Sequence, residues 1–439
     1  MRRWNGWGDA RVEAAAPAGS IEFLAARIGP GQPLPDATLE QALSRVPASR
    51  MPAHPLVTTA AEDRLRHARG QSLPDWLAMR SGEFGRYPDG VAYPTCSDEV
   101  AELLRFAQEQ DLVVIPDGGG TSVVGHINPP ASERPVLTVD MGRMNRLLDL
   151  DRDSQIATFG AGTPGPQLEA QLRPHGYTLG HFPQSFELST VGGWVASRSS
   201  GQQSLRYGRI EQLFAGGRLE TLDGTFMLPT LPASSAGPDL RELILGSEGR
   251  LGILTEVKVR VTPLPEHESF HAVFFPGWEQ ARSAARMLVQ RRVPLSMIRL
   301  SNAVETETQL ALAGHPRQVE WLERYLGWRG ARAGKCMMTV GITGSRTVCH
   351  AARREFRRIV KAHDGVYPGT YLGRKWAEKR FSMPYLRETL WRLGYAVDTL
   401  ETATDWDNVD RLHDAIEANL RGALQDENVR VHVFTHLSH

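Results

Sequence analysis

The sequence predicts an α+β fold in three parts: an N-terminal arm over residues 1–90, a strand–helix domain over 91–265 and a smaller domain over 266–439. Three observations carry this. A chain of 439 residues is too long for one core. Strand and helix patterns alternate on both sides of a break at Pro263 and Pro265. The first ninety residues are rich in Ala, Pro and Gly and poor in strand signals.

The elements follow in order. Ser97 to Gln110 reads as a helix: Ser97 suits a cap, Asp98 and Glu99 suit the first turn, and Val100, Leu103, Leu104 and Ala107 share one face. Leu112–Ile115, Val136–Val139, Gln155–Phe159 and Thr255–Val261 read as strands. Beyond the prolines come a strand at His271–Phe275, a helix from Trp278 to Gln290 and a strand at Pro294–Leu300. Lys335–Ile342 and an Arg-rich helix from Thr347 to His363 repeat the pattern, as expected of a cap domain. Trp321, Leu322, Tyr325 and Trp328 have helical spacing and are expected in the core, with the lining of an alkyl tunnel as the alternative. The run Arg353-Arg354 to Arg357-Arg358 reads as a solvated helix face that could also approach anionic headgroups. Val429 to Leu437 reads as a strand, with His432 and His436 on one face and His439 opposite. Packing or active-site lining suits these histidines better than a metal, and no metal is expected.

Four clusters of glycine and hydroxyl residues lie in the middle part. The first is Pro116-Asp117-Gly118-Gly119-Gly120-Thr121-Ser122, directly after a strand. Glycine permits positive φ and close backbone approach, and successive N–H groups form an anion-binding nest. The run lacks the Lys of a P-loop and the G-x-G-x-x-G of a Rossmann turn, which leaves a loop-cradled pyrophosphate. The second cluster is Gln184-Ser185-Phe186-Glu187-Leu188-Ser189-Thr190 with Gly192 and Gly193. Ser197-Arg198-Ser199-Ser200 is the third, and Glu248-Gly249-Arg250-Leu251-Gly252-Ile253-Leu254 the fourth. A dinucleotide lying across several loops would need this many close approaches.

Composition narrows the class. Fifty basic and fifty acidic residues give no net charge, which argues against nucleic acid as a partner. Cys96, Cys336 and Cys349 form no C-x-x-C and read as reduced thiols, which suits the cytoplasm. No apolar run approaches the roughly 20 residues of a membrane span, and the start has no signal-peptide core.

These motifs resemble the vanillyl-alcohol-oxidase-type flavoproteins and, among them, the alkylglycerone-phosphate (alkyl-dihydroxyacetonephosphate) synthase family. The likeness runs from Trp4-Asn5-Gly6-Trp7-Gly8 through Arg86-Tyr87-Pro88-Asp89, the G-G-G-T-S loop and Gly180-His181 to Gly246-Ser247-Glu248-Gly249. It implies a PCMH-type FAD-binding domain of two subdomains and a ferredoxin-like α+β cap. FAD is expected to be non-covalent, because Thr121 follows the glycines where some relatives carry a linking His; His126 lies too far along. The resemblance implies exchange of the acyl group of acyl-dihydroxyacetone phosphate for a fatty alcohol, through an adduct at flavin N5. It assigns Arg299, His436 and His439 to the reacting centre and Arg387 to the substrate phosphate. Lipid substrates are the implied partners, with peripheral membrane contact and a homodimer left open. The family continues past His439 into a Tyr and a His cluster, so a fragment or a degenerate homologue is an alternative expectation. Two other readings stay open: an FAD-dependent 2-hydroxyacid dehydrogenase, and a non-catalytic flavin- or lipid-binding protein.

Overall fold

Two compact units divide the chain between Leu264 and Pro265. The computed structural model describes residues 2–17, 19–313 and 316–438. Unit one is Met1–Glu13, Leu34–Gly201 and Tyr207–Leu264; unit two is Ala14–Pro33, Gln202–Arg206 and Pro265–His439. The first ninety residues, read from the sequence as one arm, are therefore shared between the units.

Unit one holds two main sheets. In the first, Gly90–Ala92, Val136–Asp140 and Val113–Asp117 run parallel, and Val57–Thr58 closes the edge antiparallel. Parallel strands need a crossover, which the helix Ser97–Glu109 supplies. Its apolar face, Val100, Leu103, Leu104 and Ala107, packs with Leu137 and Val139 in one buried cluster. The cap differs from expectation. Cys96 holds the N-cap position without a side-chain bond. Glu99 closes the turn instead, accepting from the backbone N–H of Thr95 at 2.5 Å and from its hydroxyl at 3.0 Å. The second sheet is antiparallel, ordered Leu147–Asp151, Ile156–Gly160, Ile253–Arg260, Phe214–Thr221, Gly224–Leu228. A parallel and an antiparallel sheet give the two subdomains of a PCMH-type flavin fold.

Unit two carries an antiparallel sheet ordered His267–Phe275, Cys336–Gly344, Met297–Ser301, His436–Ser438. Helices Trp278–Gln290 and Arg346–Ala362 cover one face, where Val273 and Phe275 meet Ala281, Leu288, Cys349 and Phe356. Ala272 and Phe274 point to the other face and meet Leu310, Leu326 and Val366. Side chains alternate along a strand, so a strand covered on both faces reads as an unbroken apolar run. The sequence 272–275 is such a run.

Two expectations fail here. The final strand is only His436–Ser438, so His432 lies outside it. There its Nε2 meets the Thr308 hydroxyl at 2.9 Å and its ring packs edge-on against Phe23 and Phe434. The aromatic set on helix Pro316–Trp328 is not core: Trp321 is 71% exposed and Trp328 80%. Leu326, fully buried, and the partly buried Leu322 hold that helix to the unit instead.

Candidate functional site

Unit one brings the four glycine clusters together. A Cβ on Gly119 would stand 2.0 Å from the Leu188 carbonyl oxygen, and one on Gly118 would stand 2.4 Å from Thr190 Oγ1. A Cβ on Gly249 would meet Pro116 Cγ at 2.5 Å. The first loop thus lies against the Leu188 backbone and Thr190 side chain of the second, and its Pro116 ring lies against Gly249 of the fourth. Glu248 N–H donates to the Ala196 carbonyl at 2.9 Å, and Ser199 N–H donates to that of Trp194 at the same distance, so the third and fourth clusters both lie against the helix Val191–Ala196. Thr190 caps that helix, accepting from Gly193 N–H.

Positive φ is required only at some of these positions. Gly120 lies at +62° and Gly249 at +81°. Gly119 is needed for space rather than for φ. At Gly193 a Cβ would find only Thr190 Oγ1, at 3.2 Å. Arg198 and Glu248 also take positive φ, at 53° and 52°, an uncommon conformation for residues with a Cβ.

The remaining cofactor candidates divide by exposure. Gln184, Arg250 and Leu251 are exposed, and Thr121, Ser122, Ser185, Glu187, Leu188, Gly192 and Gly252 are half-buried or packed in the same loops. Phe186, Ile253 and Leu254 bury their side chains, so any contact they make with a ligand comes through the backbone. Ser197 Oγ donates to the Gly193 carbonyl. Ser199 Oγ meets His181 Nε2 at 3.1 Å, while the Ser200 hydroxyl is buried with no hydrogen-bond partner among the described residues. Interlocked glycine loops around an orphaned hydroxyl fit a large dinucleotide such as FAD.

Beside Asp117 of the first loop stand three charged or titratable groups that sequence reading missed, Arg2, His67 and Asp140. Arg2 donates to the Gly119 carbonyl at 2.7 Å. His67 Nδ1 meets the Asp63 carbonyl at 2.7 Å, and its Nε2 meets Asp140 at 2.9 Å. A carbonyl only accepts, so Nδ1 carries a proton; a carboxylate at Nε2 then favours the doubly protonated ring. Burial works against that charge, but the hydrogen bond to Asp140 and the carboxyls of Asp117 and Asp140 raise the His67 pKa overall. Asp117, closing the strand before the glycines, is buried, and burial raises its carboxyl. Residues 63 and 67 lie one helical turn apart, but no local spacing links them to 140.

Unit two joins two of its four candidates. Arg299, on the strand Met297–Ser301, reaches Glu305 Oε1 at 2.5 Å and His436 Nδ1 at 3.2 Å. His436 Nδ1 is 3.4 Å from the same Glu305 oxygen. Glu305 lies in the first turn of the helix Ala303–Ala311, 2% exposed, its N–H bonded to the Asn302 side chain. Burial pushes its carboxyl up, but the His436 bond and the Arg299 charge outweigh that and hold it at about 2. Of these two partners Arg299 is the closer. Glu305 was absent from the sequence reading because a Glu in a helix first turn looks like an ordinary dipole partner. Arg387 is half-buried on the helix Met383–Arg392. His439 lies outside the described residues.

Comparison with known proteins agrees with this layout. The FAD binding domain family matches residues 88–227, and the C-terminal domain family of FAD linked oxidases matches 264–439. An alkyldihydroxyacetonephosphate synthase of Dictyostelium discoideum is 32% identical across all of this chain and 79% of its own length. A solved alkyldihydroxyacetonephosphate synthase superposes with a TM-score of 0.89 at 29% identity, covering all of this chain and 86% of that one. Similarity to a D-lactate dehydrogenase of Archaeoglobus fulgidus, at 30% identity, spans 47% of this chain and 46% of that relative. FAD is thus the cofactor of the glycine-loop unit, and the chain belongs to the alkyldihydroxyacetonephosphate synthase family.

Proposed function

We propose that this chain exchanges the acyl group of acyl-dihydroxyacetone phosphate for a fatty alcohol, forming an ether-linked lipid precursor. The observation that carries this reading is the synthase likeness across both units, where the dehydrogenase likeness covers about half the chain. FAD, when bound, supplies an electrophilic and nucleophilic ring nitrogen for the exchange. The chain's own residues hold it in the four loops without a covalent bond. Arg299 supplies a cation for the exchange, and His436, 3.2 Å from that guanidinium, holds or passes a proton. Arg387 anchors the substrate phosphate, because a guanidinium offers two parallel donors to phosphate oxygens.

The test is fatty-acid release from acyl-dihydroxyacetone phosphate by the holoprotein. Release should depend on added fatty alcohol. Arg387→Ala should raise KM for the phosphorylated substrate, with a loss of about 2–4 kcal/mol of phosphate binding. Arg299→Ala should act mainly on kcat. No alcohol-dependent release, together with bleaching of the flavin by a 2-hydroxyacid, would replace this reading with the dehydrogenase one. Acid precipitation should leave the yellow flavin in the supernatant; colour retained in the pellet would mean a covalent link.

A further inference from the structure

The helix Pro316–Trp328 carries two apolar stripes where folding requires one. Leu322 and Leu326, with Val319, face the buried cluster of the second unit. Trp321, Tyr325 and Trp328, spaced i, i+4, i+7, form a separate stripe pointing to solvent, with Trp321 and Trp328 71% and 80% exposed. Exposed tryptophans on a helix whose aliphatic stripe is already buried contribute nothing to the core.

Cations frame the stripe. The Arg324 guanidinium stands 5.8 Å from the centre of the Trp321 ring, and that of Arg329 stands 6.0 Å from both Tyr325 and Trp328. Residues 316–335 contain five cations, Arg317, Arg324, Arg329, Arg332 and Lys335, against two carboxylates. Both carboxylates are engaged, Glu320 with Arg324 and Glu323 with Lys335, each at 2.7 Å. The excess charge on the exposed side is positive. Tyr371, 44% exposed, bonds Gln318 through its hydroxyl and adds a fourth aromatic ring at this helix.

We infer that this aromatic–arginine stripe seats the protein on an anionic lipid bilayer. Trp and Tyr are amphipathic rings that favour the headgroup boundary. Arginine reaches past them to lipid phosphates while its stem stays in the apolar layer. A stripe of three rings on a helix of 13 residues is too short to span a bilayer but suited to lying in its surface. The positive excess complements anionic headgroups, which separates this occupant from a neutral apolar one. The inference goes beyond the proposed reaction, since it concerns where the protein sits and holds for any chemistry at the flavin.

The test is co-sedimentation of the FAD-loaded protein with sucrose-loaded vesicles of phosphatidylcholine, with and without phosphatidylserine. Wild type should pellet with the anionic vesicles and be released by salt. A Trp321→Ser, Trp328→Ser double variant should lose about tenfold in partitioning, with unchanged flavin content and circular dichroism. Arg324→Gln with Arg329→Gln should weaken binding to the anionic vesicles selectively. Equal pelleting of the tryptophan variant and wild type overturns the inference. So does a dimer in sedimentation velocity that dissociates on the same tryptophan substitutions, which would make a second copy the occupant.

Discussion

Protein carrying Gly119→Val should purify with less than about a fifth of wild-type FAD, since overpacking by about 1–3 kcal/mol is roughly a five- to hundredfold effect. The Cβ would lie 2.0 Å from the Leu188 carbonyl oxygen and 2.7 Å from its carbon. Both obstacles are backbone, so no rotamer change relieves them. The first loop would have to lift away from the turn at Ser185–Ser189, whose N–H of Ser189 and N–H of Leu188 both bond to the Ser185 carbonyl. Gly193→Ala is the contrast: its Cβ meets only a hydroxyl, at 3.2 Å, so the variant should fold and keep most of its flavin. The flavin-to-protein absorbance ratio of correctly folded variants decides this. Full occupancy in Gly119→Val would show that the loop contact is not part of the cofactor cradle.

Glu305→Ala should cost about 3 kcal/mol at neutral pH, the lower end for breaking a buried pair, because Arg299 retains some contact with water. In a unit of this size the melting point should drop by roughly 6–12 °C. Its pH dependence is specific. The folded carboxyl titrates at about 2, below its ordinary 4.5, so the folded state binds fewer protons than the unfolded chain in between. The stabilisation is fully present above 4.5 and is lost as the pH falls towards 2. Melts of wild type and Glu305→Gln should therefore differ most at pH 7 and converge in acid. A constant difference across that range would mean that the carboxylate charge plays no part.

The helices and strands were legible because their signal is local. The helix Trp278–Gln290 has the bounds its periodicity predicts, and the strand read at 271–275 lies within the observed strand His267–Phe275. The cap at residue 97 was misread because Ser at a helix start is ambiguous by one position, and Glu99 closes the turn from inside the helix. The histidine strand was overextended because alternation alone does not reveal where pairing stops; pairing with Met297–Ser301 begins only at His436.

What the sequence by itself determined is a part of the helices and strands and the glycine loops of a flavoprotein, because periodicity and backbone room are properties of neighbouring residues. The tertiary structure alone decided which charges meet and which faces stay outside. Arg299 and His436 are 137 positions apart, and Glu305 becomes their shared counter-charge only when strand and helix are packed. Trp321 and Trp328 have the spacing of a core stripe, and only the burial of Leu322 and Leu326 on the same helix shows that they face water. Both outcomes depend on which of several apolar or charged faces wins a place against the rest of the fold, and that competition is settled by three-dimensional packing rather than by any local pattern.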